Sequence, residues 1–356
     1  MLTRFTHHLS RATARLVRLV VGVVITALVL LTAAQQLANV GPWWLELSRY
    51  VPYPAYVLPA VLALLPLLLP RWLGRAWEAA SAATLALVLT LTMGLVWPRP
   101  DAGGTAVRLM TYNVKAYLAA RRSDGFDRLA QEVAWHSPDI VVMQDAHEAH
   151  PGSGHSVFES GRVFGYPHVH AVDQYVVASR FPLRGCVLRH IGWRGEELAY
   201  VRCVVDAKGI ELDLVTVHFE SPRSGLNAAR REGLEGAADW QRNFQERLDQ
   251  SRALVDALAH DLAGNRRPLV LAGDLNAPES SSVIRTLLAL GLRDAFSTAG
   301  HGYGYSYGQA LKLGFSFLRI DHILVSPEVG VAGCFVGNGE ASEHRPVIAD
   351  LLLRPR

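Results

Sequence analysis

Pro268 to Pro278 read PLVLAGDLNAP. The run Pro268–Ala272 is short, apolar and broken off by glycine, the pattern of a buried strand, and Asp274 and Asn276 follow it at once. Alone, Asp-x-Asn after a strand is most simply a turn, because both residues tolerate tight-turn geometry. Its weight comes from the rest of the chain, where an apolar strand delivering a polar residue recurs on both sides of it.

Working outward, Val107–Val114 predicts a strand with Asn113 near its end, and DIVVM (Asp139–Met143) one followed by Gln144 and Asp145. ELDLVTVH (Glu211–His218) alternates apolar residues and ends on His218. Arg319–Ser326 carries Asp321 and His322, and Glu343 with His344 precede a last strand, Arg345–Leu352. Between them lie amphipathic helices, Phe126–His136 with Leu129 and Val133 on one face, and Leu226–Leu262 with breaks at Gly233 and Gly236. Strands alternating with helices predict an α/β domain. Six strands each bring Asn, Asp, Glu or His, and burying these groups without partners is costly. One shared polar site accounts for them better than six accidents.

The donor set is carboxylate, amide and imidazole, without a cysteine ligand. Hard oxygen ligands suit magnesium, with manganese or calcium as alternatives. Asp145 is the first candidate ligand, with Asn113 and Glu343 beside it, and a metal there would neutralise charge on a phosphoryl group. Asp274 is placed to orient or deprotonate water, Asn276 to donate hydrogen bonds, His344 or His218 to balance charge or protonate a leaving oxygen, and Asp321 to fix a histidine tautomer.

TYNV, DIVVMQD, TVHFES, LAGDLNAP, RIDHILVS and SEHRPV occur in an order that resembles the endonuclease/exonuclease/phosphatase superfamily, over about residues 107–352. The resemblance implies a four-layer α/β/β/α sandwich of the DNase I-like type and metal-dependent phosphoester cleavage. It matches Asn113 and Asp145 to the metal side, His218 to the histidine of Thr-x-His, Asp274 and Asn276 to Gly-Asp-x-Asn, and Asp321, Glu343 and His344 to the late acidic and histidine motifs. Two positions depart from the family pattern. Asp145 stands where a glutamate is usual and Glu343 where an aspartate is usual, one a methylene shorter and the other a methylene longer. Either the two changes compensate and keep a metal bound, the reading taken here, or the site is weakened or dead.

The 356-residue chain is 50% hydrophobic, and the excess lies before Pro100. Leu19–Ala34, Tyr56–Pro70 and Ala79–Trp97 are three apolar stretches with aromatic residues at their ends. They predict a membrane anchor over 1–98 with three spans, a linker over 99–106 and a catalytic domain over 107–356. Arg4, Arg11, Arg15 and Arg18, with Arg71 and Arg75, mark cytoplasmic sides. Three crossings then place the domain outside the cytoplasmic membrane, and two would return it to the cytoplasm. A buried helical bundle and a cleaved signal peptide fit these stretches less well. Cys186 and Cys203 are free to pair if their strands are neighbours.

Anchoring favours a lipid-linked phosphate of the envelope as substrate, as does a resemblance to bacterial teicoplanin-resistance-type membrane proteins. An external nuclease is the alternative, with Arg223, Arg230, Arg231, Arg242, Arg247 and Arg252 gripping a phosphate backbone; the opposing reading is a solvated helix pairing with its own acids. A catalytically silent envelope-binding module is the third. The formal charge of +3 does not argue for nucleic acid by itself. Gly302–Phe317, aromatic and nearly uncharged, reads as a substrate loop, a membrane-touching lip or plain loop packing. Oligomeric state is not encoded in any of these features.

Overall fold

The computed structural model describes residues 2–64, 75–158, 161–193, 196–262 and 267–354. The chain divides into two compact units between Leu95 and Val96.

The first unit is helical. Leu2–Leu37 is one long helix, followed by short helices Trp43–Ser48 and Pro54–Leu62, and by Arg75–Leu87, which passes into a π-helical turn at Val88–Thr92. Leu28, Tyr56, Ala60 and Val88 pack together, and the Thr32 and Thr92 hydroxyls meet at 2.7 Å. Glu46 and Arg49, the one acid and the one base between Ala34 and Tyr56, form a buried ion pair, and Arg49 also donates to the Gln35 carbonyl. Among the described residues one helix, Ala12–Leu37, is long and apolar enough to cross a membrane. The three-span reading therefore meets a shorter structure. The second stretch is helical only over Pro54–Leu62, and its residues 65–70, with the Arg71 loop, lie outside the described residues. The third is α-helical only as far as Leu87, within helix Arg75–Leu87, before the π turn interrupts the regular ladder.

The second unit holds two mixed six-stranded sheets. The first runs in the order β11-β12-β1-β2-β4-β3. Its strands are β1 (Thr105–Asn113), β2 (Ile140–Gln144), β3 (His168–Val172), β4 (Tyr175–Ser179), β11 (Val329–Val336) and β12 (Val347–Leu353). The second runs β5-β6-β7-β8-β10-β9. It contains β5 (Leu183–Trp193), β6 (Glu196–Ala207), β7 (Ile210–His218), β8 (Leu269–Asp274), β9 (Arg293–Asp294) and β10 (Asp321–Val325). The long helical stretch is two helices, Arg223–Glu232 and Ala237–Leu262, parted at the two expected glycines. Residues 96–104, overlapping the expected linker, are tied to this unit: Arg99 N–H donates to Thr298, and Asp101 accepts from Arg293 and the Val331 amide.

Side-chain alternation decides where the site falls. Val107 and Leu109 of β1, Ile140 and Val142 of β2, Leu212 and Leu214 of β7, Val270 and Ala272 of β8, and Ile323 and Val325 of β10 share one core between the sheets. Met110, Tyr112, Val141 and Met143 face the other way, into a second core under helix Gly125–His136. Continuing each inward set by the period of two along a strand gives Asn113, Gln144, His218, Asp274 and Asp321. The pairing brings these ends to one edge, with Asn113 beside Gln144, His218 beside Asp274, and Asp274 beside Asp321 across an antiparallel ladder. Where the apolar filling stops, Gln144 donates to the Thr216 hydroxyl of the facing sheet at 2.9 Å and also bonds Thr111.

Candidate active site

Asp274, Asp321 and His344 are buried together and offer ligand atoms all within 4.8 Å of one another. Asp274 is the hub. Its Oδ1 accepts the Asn276 backbone N–H at 2.9 Å, and its Oδ2 accepts from Asn113 Nδ2 at 2.9 Å. The same Oδ2 lies 3.5 Å from His218 Nε2 and 3.7 Å from His344 Nε2. The turn after β8 needs Asn276 in the left-handed region, at φ 48, a conformation that Asn tolerates better than most residues. Its side-chain amide is engaged by the Phe219 carbonyl at 2.8 Å, so this Asn ties the β7 and β8 ends together.

His344 and Asp321 form a pair, Nδ1 to Oδ2 at 3.0 Å. Burial opposes the His344 imidazolium, but Asp321 and then Asp274 outweigh it and raise its pKa. Burial also pushes the Asp321 carboxyl up, and Asp274 adds to that against the pull of His344. The Asp321 carboxyl and the His344 imidazole are thus both shifted toward holding a proton. The pair is braced from both sides: Ser306 Oγ accepts the Asp321 amide, Ser342 Oγ accepts the His344 amide and donates to the Asn113 carbonyl, and the Tyr307 ring lies 4.7 Å from the imidazole.

The three residues expected to hold a metal are placed differently. Asn113 bonds Asp274. Asp145 lies outside the tight group: its Oδ2 meets Lys115 Nζ at 2.5 Å and its Oδ1 lies 3.7 Å from His218 Nδ1. Burial works to raise the Asp145 carboxyl, but His218 and Lys115 hold it below the ordinary range. Burial likewise opposes the Lys115 charge, and Asp145 more than restores it. Glu343 Oε2 is buried and forms an ion pair with Arg223 Nη2 at 3.5 Å, without a hydrogen bond. The Glu343 and Asp145 carboxylates and the Asn113 amide oxygen are hard donors of the kind a divalent ion takes, whereas the ligand atoms drawn within 4.8 Å of one another are those of Asp274, Asp321 and His344.

Several contacts were not legible as site residues. Gln174, in the β3–β4 turn, accepts from His218 Nδ1 at 2.6 Å, and Tyr175 OH accepts the His218 amide. No sequence pattern marks Gln174. Lys115 had one signal, being one of three lysines in an arginine-rich chain and standing two residues after Asn113. The aromatic segment Gly302–Phe317 does border the site, through Tyr307 on His344 and through Gln309, which donates to the Glu343 carbonyl at 2.7 Å. Its tip exposes Leu311 (41%), Lys312 and Leu313 (50%). Of the arginines on the two long helices, Arg223, Arg230 and Arg231 are exposed. Arg242 pairs with Asp239, Arg252 with Asp249, and Arg247 is buried against Trp240. Cys186 and Cys203 lie on neighbouring β5 and β6 and are joined by a disulfide.

A sequence profile described as Endonuclease/Exonuclease/phosphatase family matches residues 110–344. No curated protein is matched. Among solved structures the fold resembles truncated TDP2 of Caenorhabditis elegans, at 17% identity and TM-score 0.52, covering 70% of this chain and 98% of that one. It also resembles an endonuclease/exonuclease/phosphatase family protein of Bacteroides thetaiotaomicron, at 17% identity and TM-score 0.50, covering 71% and 100%. A third is the mannosyl-6-phosphatase Bt3783 of Bacteroides thetaiotaomicron VPI-5482, at 16% identity and TM-score 0.50, covering 69% and 100%. At such identities the likeness is one of fold.

Proposed function

The chain belongs to the endonuclease/exonuclease/phosphatase family, and on that premise we propose that it is a membrane-anchored, divalent-metal-dependent phosphoesterase. Its substrate would be a lipid-linked phosphoester or pyrophosphate at the outer face of the cytoplasmic membrane. The observation that carries the hydrolytic reading is Asp274, a buried carboxylate fixed by Asn113 and Asn276 and flanked by two imidazoles. Water hydrogen-bonded to Asp274 gives that carboxylate its proton as the water oxygen bonds phosphorus and the bond to the leaving oxygen breaks. A metal held by Asn113, Asp145 and Glu343 would supply charge neutralisation at a phosphoryl oxygen.

The histidines are narrowed by geometry. An in-line displacement puts attacking and leaving oxygens on opposite sides of phosphorus. Both Nε2 atoms lie within 3.7 Å of Asp274, on the attacking side. His344 and His218 therefore serve to balance charge on the phosphoryl oxygens and to hold water, rather than to protonate a distant leaving group. A phosphate leaves without taking a proton as it departs, which suits a pyrophosphate. The disulfide supports an oxidising compartment, the helix Ala12–Leu37 supports an anchor, and the exposed Leu-Lys-Leu tip beside Glu343 supports a lipid surface nearby.

The test is a substrate panel with the full-length protein in detergent and magnesium: duplex DNA, phospholipids and polyprenyl pyrophosphate. Turnover of a lipid-linked substrate is expected. Cleavage of DNA with no lipid turnover would overturn the lipid reading in favour of the nuclease. A reporter fused at the C-terminus, active only outside the cytoplasm, tests the orientation.

A further inference from the structure

We infer that Lys115 and the divalent ion are alternative cations on one carboxylate, so that Lys115 is a built-in competitor that sets how tightly the metal binds. The inference rests on the metal-dependent reading above. Lys115 Nζ lies 2.5 Å from Asp145 Oδ2, and the two side chains are 12% and 21% exposed, so the ammonium is seated in the site and not on its rim.

The backbone holds it there. Lys115 and Asp145 both adopt the left-handed conformation, at φ 45 and 51, which is uncommon for residues other than glycine. Cross-bonds lock the two turns: the Val114 amide donates to the Gln144 carbonyl, the Ala116 amide to the Asp145 carbonyl, and the Lys115 amide to Asn113 Oδ1. The strand ends that present Asn113 and Asp145 thus also present the ammonium.

Room and charge make it a competitor. Magnesium binds a carboxylate oxygen at about 2.0–2.1 Å, which would bring it to within a few ångströms of an ammonium resting on the same group. Two cations that close in a largely buried site repel strongly. The other Asp145 oxygen already faces His218 Nδ1 at 3.7 Å, and the Asn113 oxygen already accepts the Lys115 amide. A metal entering here must displace the ammonium from Asp145, and the displaced ammonium then remains beside the phosphoryl position as a free donor. When the metal leaves, the lysine returns and the carboxylate is not left uncompensated.

The experiment is metal binding, not turnover. Magnesium is titrated calorimetrically, and manganese by the loss of its free-ion EPR signal, into the full-length protein in detergent and into Lys115→Met and Lys115→Arg. Removing the charge should tighten binding about tenfold or more, since one repulsive neighbour is gone. Lys115→Arg should bind like the parent. Lys115→Gln carries the same comparison should the methionine variant not fold. Parent binding with equal or weaker binding by the uncharged variants would overturn the competitor role and leave the metal reading standing. No binding by parent or variants would overturn both.

Discussion

Two histidine–carboxylate pairs lie one residue apart on β10, and by distance and burial they are alike. His344 approaches Asp321 at 3.0 Å with side chains 3% and 1% exposed, and His322 approaches Asp294 at 3.1 Å with side chains 0% and 6% exposed. Strand alternation sends Asp321 to the space between the sheets and His322 to the opposite face. There the likeness ends. Asp294 receives Arg319 Nη1 at 2.7 Å and the Ser297 amide, which it caps at the start of helix Ala295–Ala299. His322 spends its second nitrogen on the Ala277 carbonyl, and Arg319 lies over the Phe296 ring. Each charge of that pair has an opposite charge against it, and Glu279 lies 3.9 Å from Arg319 as well. The other shares its imidazole with a second carboxylate, Asp274. The difference teaches that the pair itself does not mark a site; the surrounding charge balance does.

Breaking each pair should therefore be felt in different measurements. Asp274→Ala should lower kcat by about 10³-fold, roughly 4 kcal/mol of transition-state stabilisation, with the thermal unfolding profile little changed. Retained turnover would move the reaction away from the Asp274 hub. Arg319→Met should do the reverse, leaving Asp294 buried without its main counter-charge and costing about 3–5 kcal/mol of stability. Calorimetry checks the stability, and kcat per folded molecule should hold. A parallel fall in kcat would show that the two pairs are not separate.

A smaller effect sharpens the comparison on the catalytic side. Gln174→Ala removes the acceptor that orients His218 and should lower kcat by about tenfold, the usual scale for a residue that acts through another. Gln174→Glu, which keeps an acceptor, should recover most of it with KM unchanged. Equal losses in both variants would assign Gln174 a merely structural part in the β3–β4 turn.

What the sequence made legible follows the same division. Strand-end residues with a period-two apolar run behind them, Asn113, His218, Asp274 and Asp321, declared both element and direction, because inward parity is written in the run itself. Asp145 and Glu343 were legible as polar residues beside strands but not in their partners. One faces Lys115 and the other Arg223, and those cations come from different segments whose convergence depends on turns. Gln174 and Ser306 carry no pattern because they act on residues distant in the sequence, Gln174 on His218 and Ser306 Oγ on the Ile320 and Asp321 amides. His322 had read as a neighbour of the motif, and only the sheet's second face explains it. In the first unit, hydropathy marked apolar stretches but not where a helical ladder stops, and the third stretch ends its α-helix at Leu87.

The smallest prediction separates the pairs by pH alone. Burial works to raise the Asp294 carboxyl, but Arg319 and then His322 overwhelm it and hold it far below the ordinary range. An unfolded Asp titrates near about 3.9. On acidification the unfolded chain therefore takes up this proton first. The stability that Asp294 contributes is complete above the unfolded value and is lost as pH falls below it, at up to about 1.4 kcal/mol per pH unit. Between about pH 5 and about pH 3 the parent should lose roughly 1 kcal/mol more than Asp294→Asn, whatever the starting stability of the variant. The slope is the diagnostic, since the variant also strands Arg319 and begins less stable at every pH. Denaturant titrations across that interval measure it, and parallel slopes would mean that Asp294 is not held ionised by its neighbours. Asp321 gives no such slope, because its carboxyl is raised and not lowered in the fold. A carboxylate held ionised by Arg319 and His322 thus ties stability to the acid range, whereas one buried beside a second carboxylate is shifted toward its protonated form.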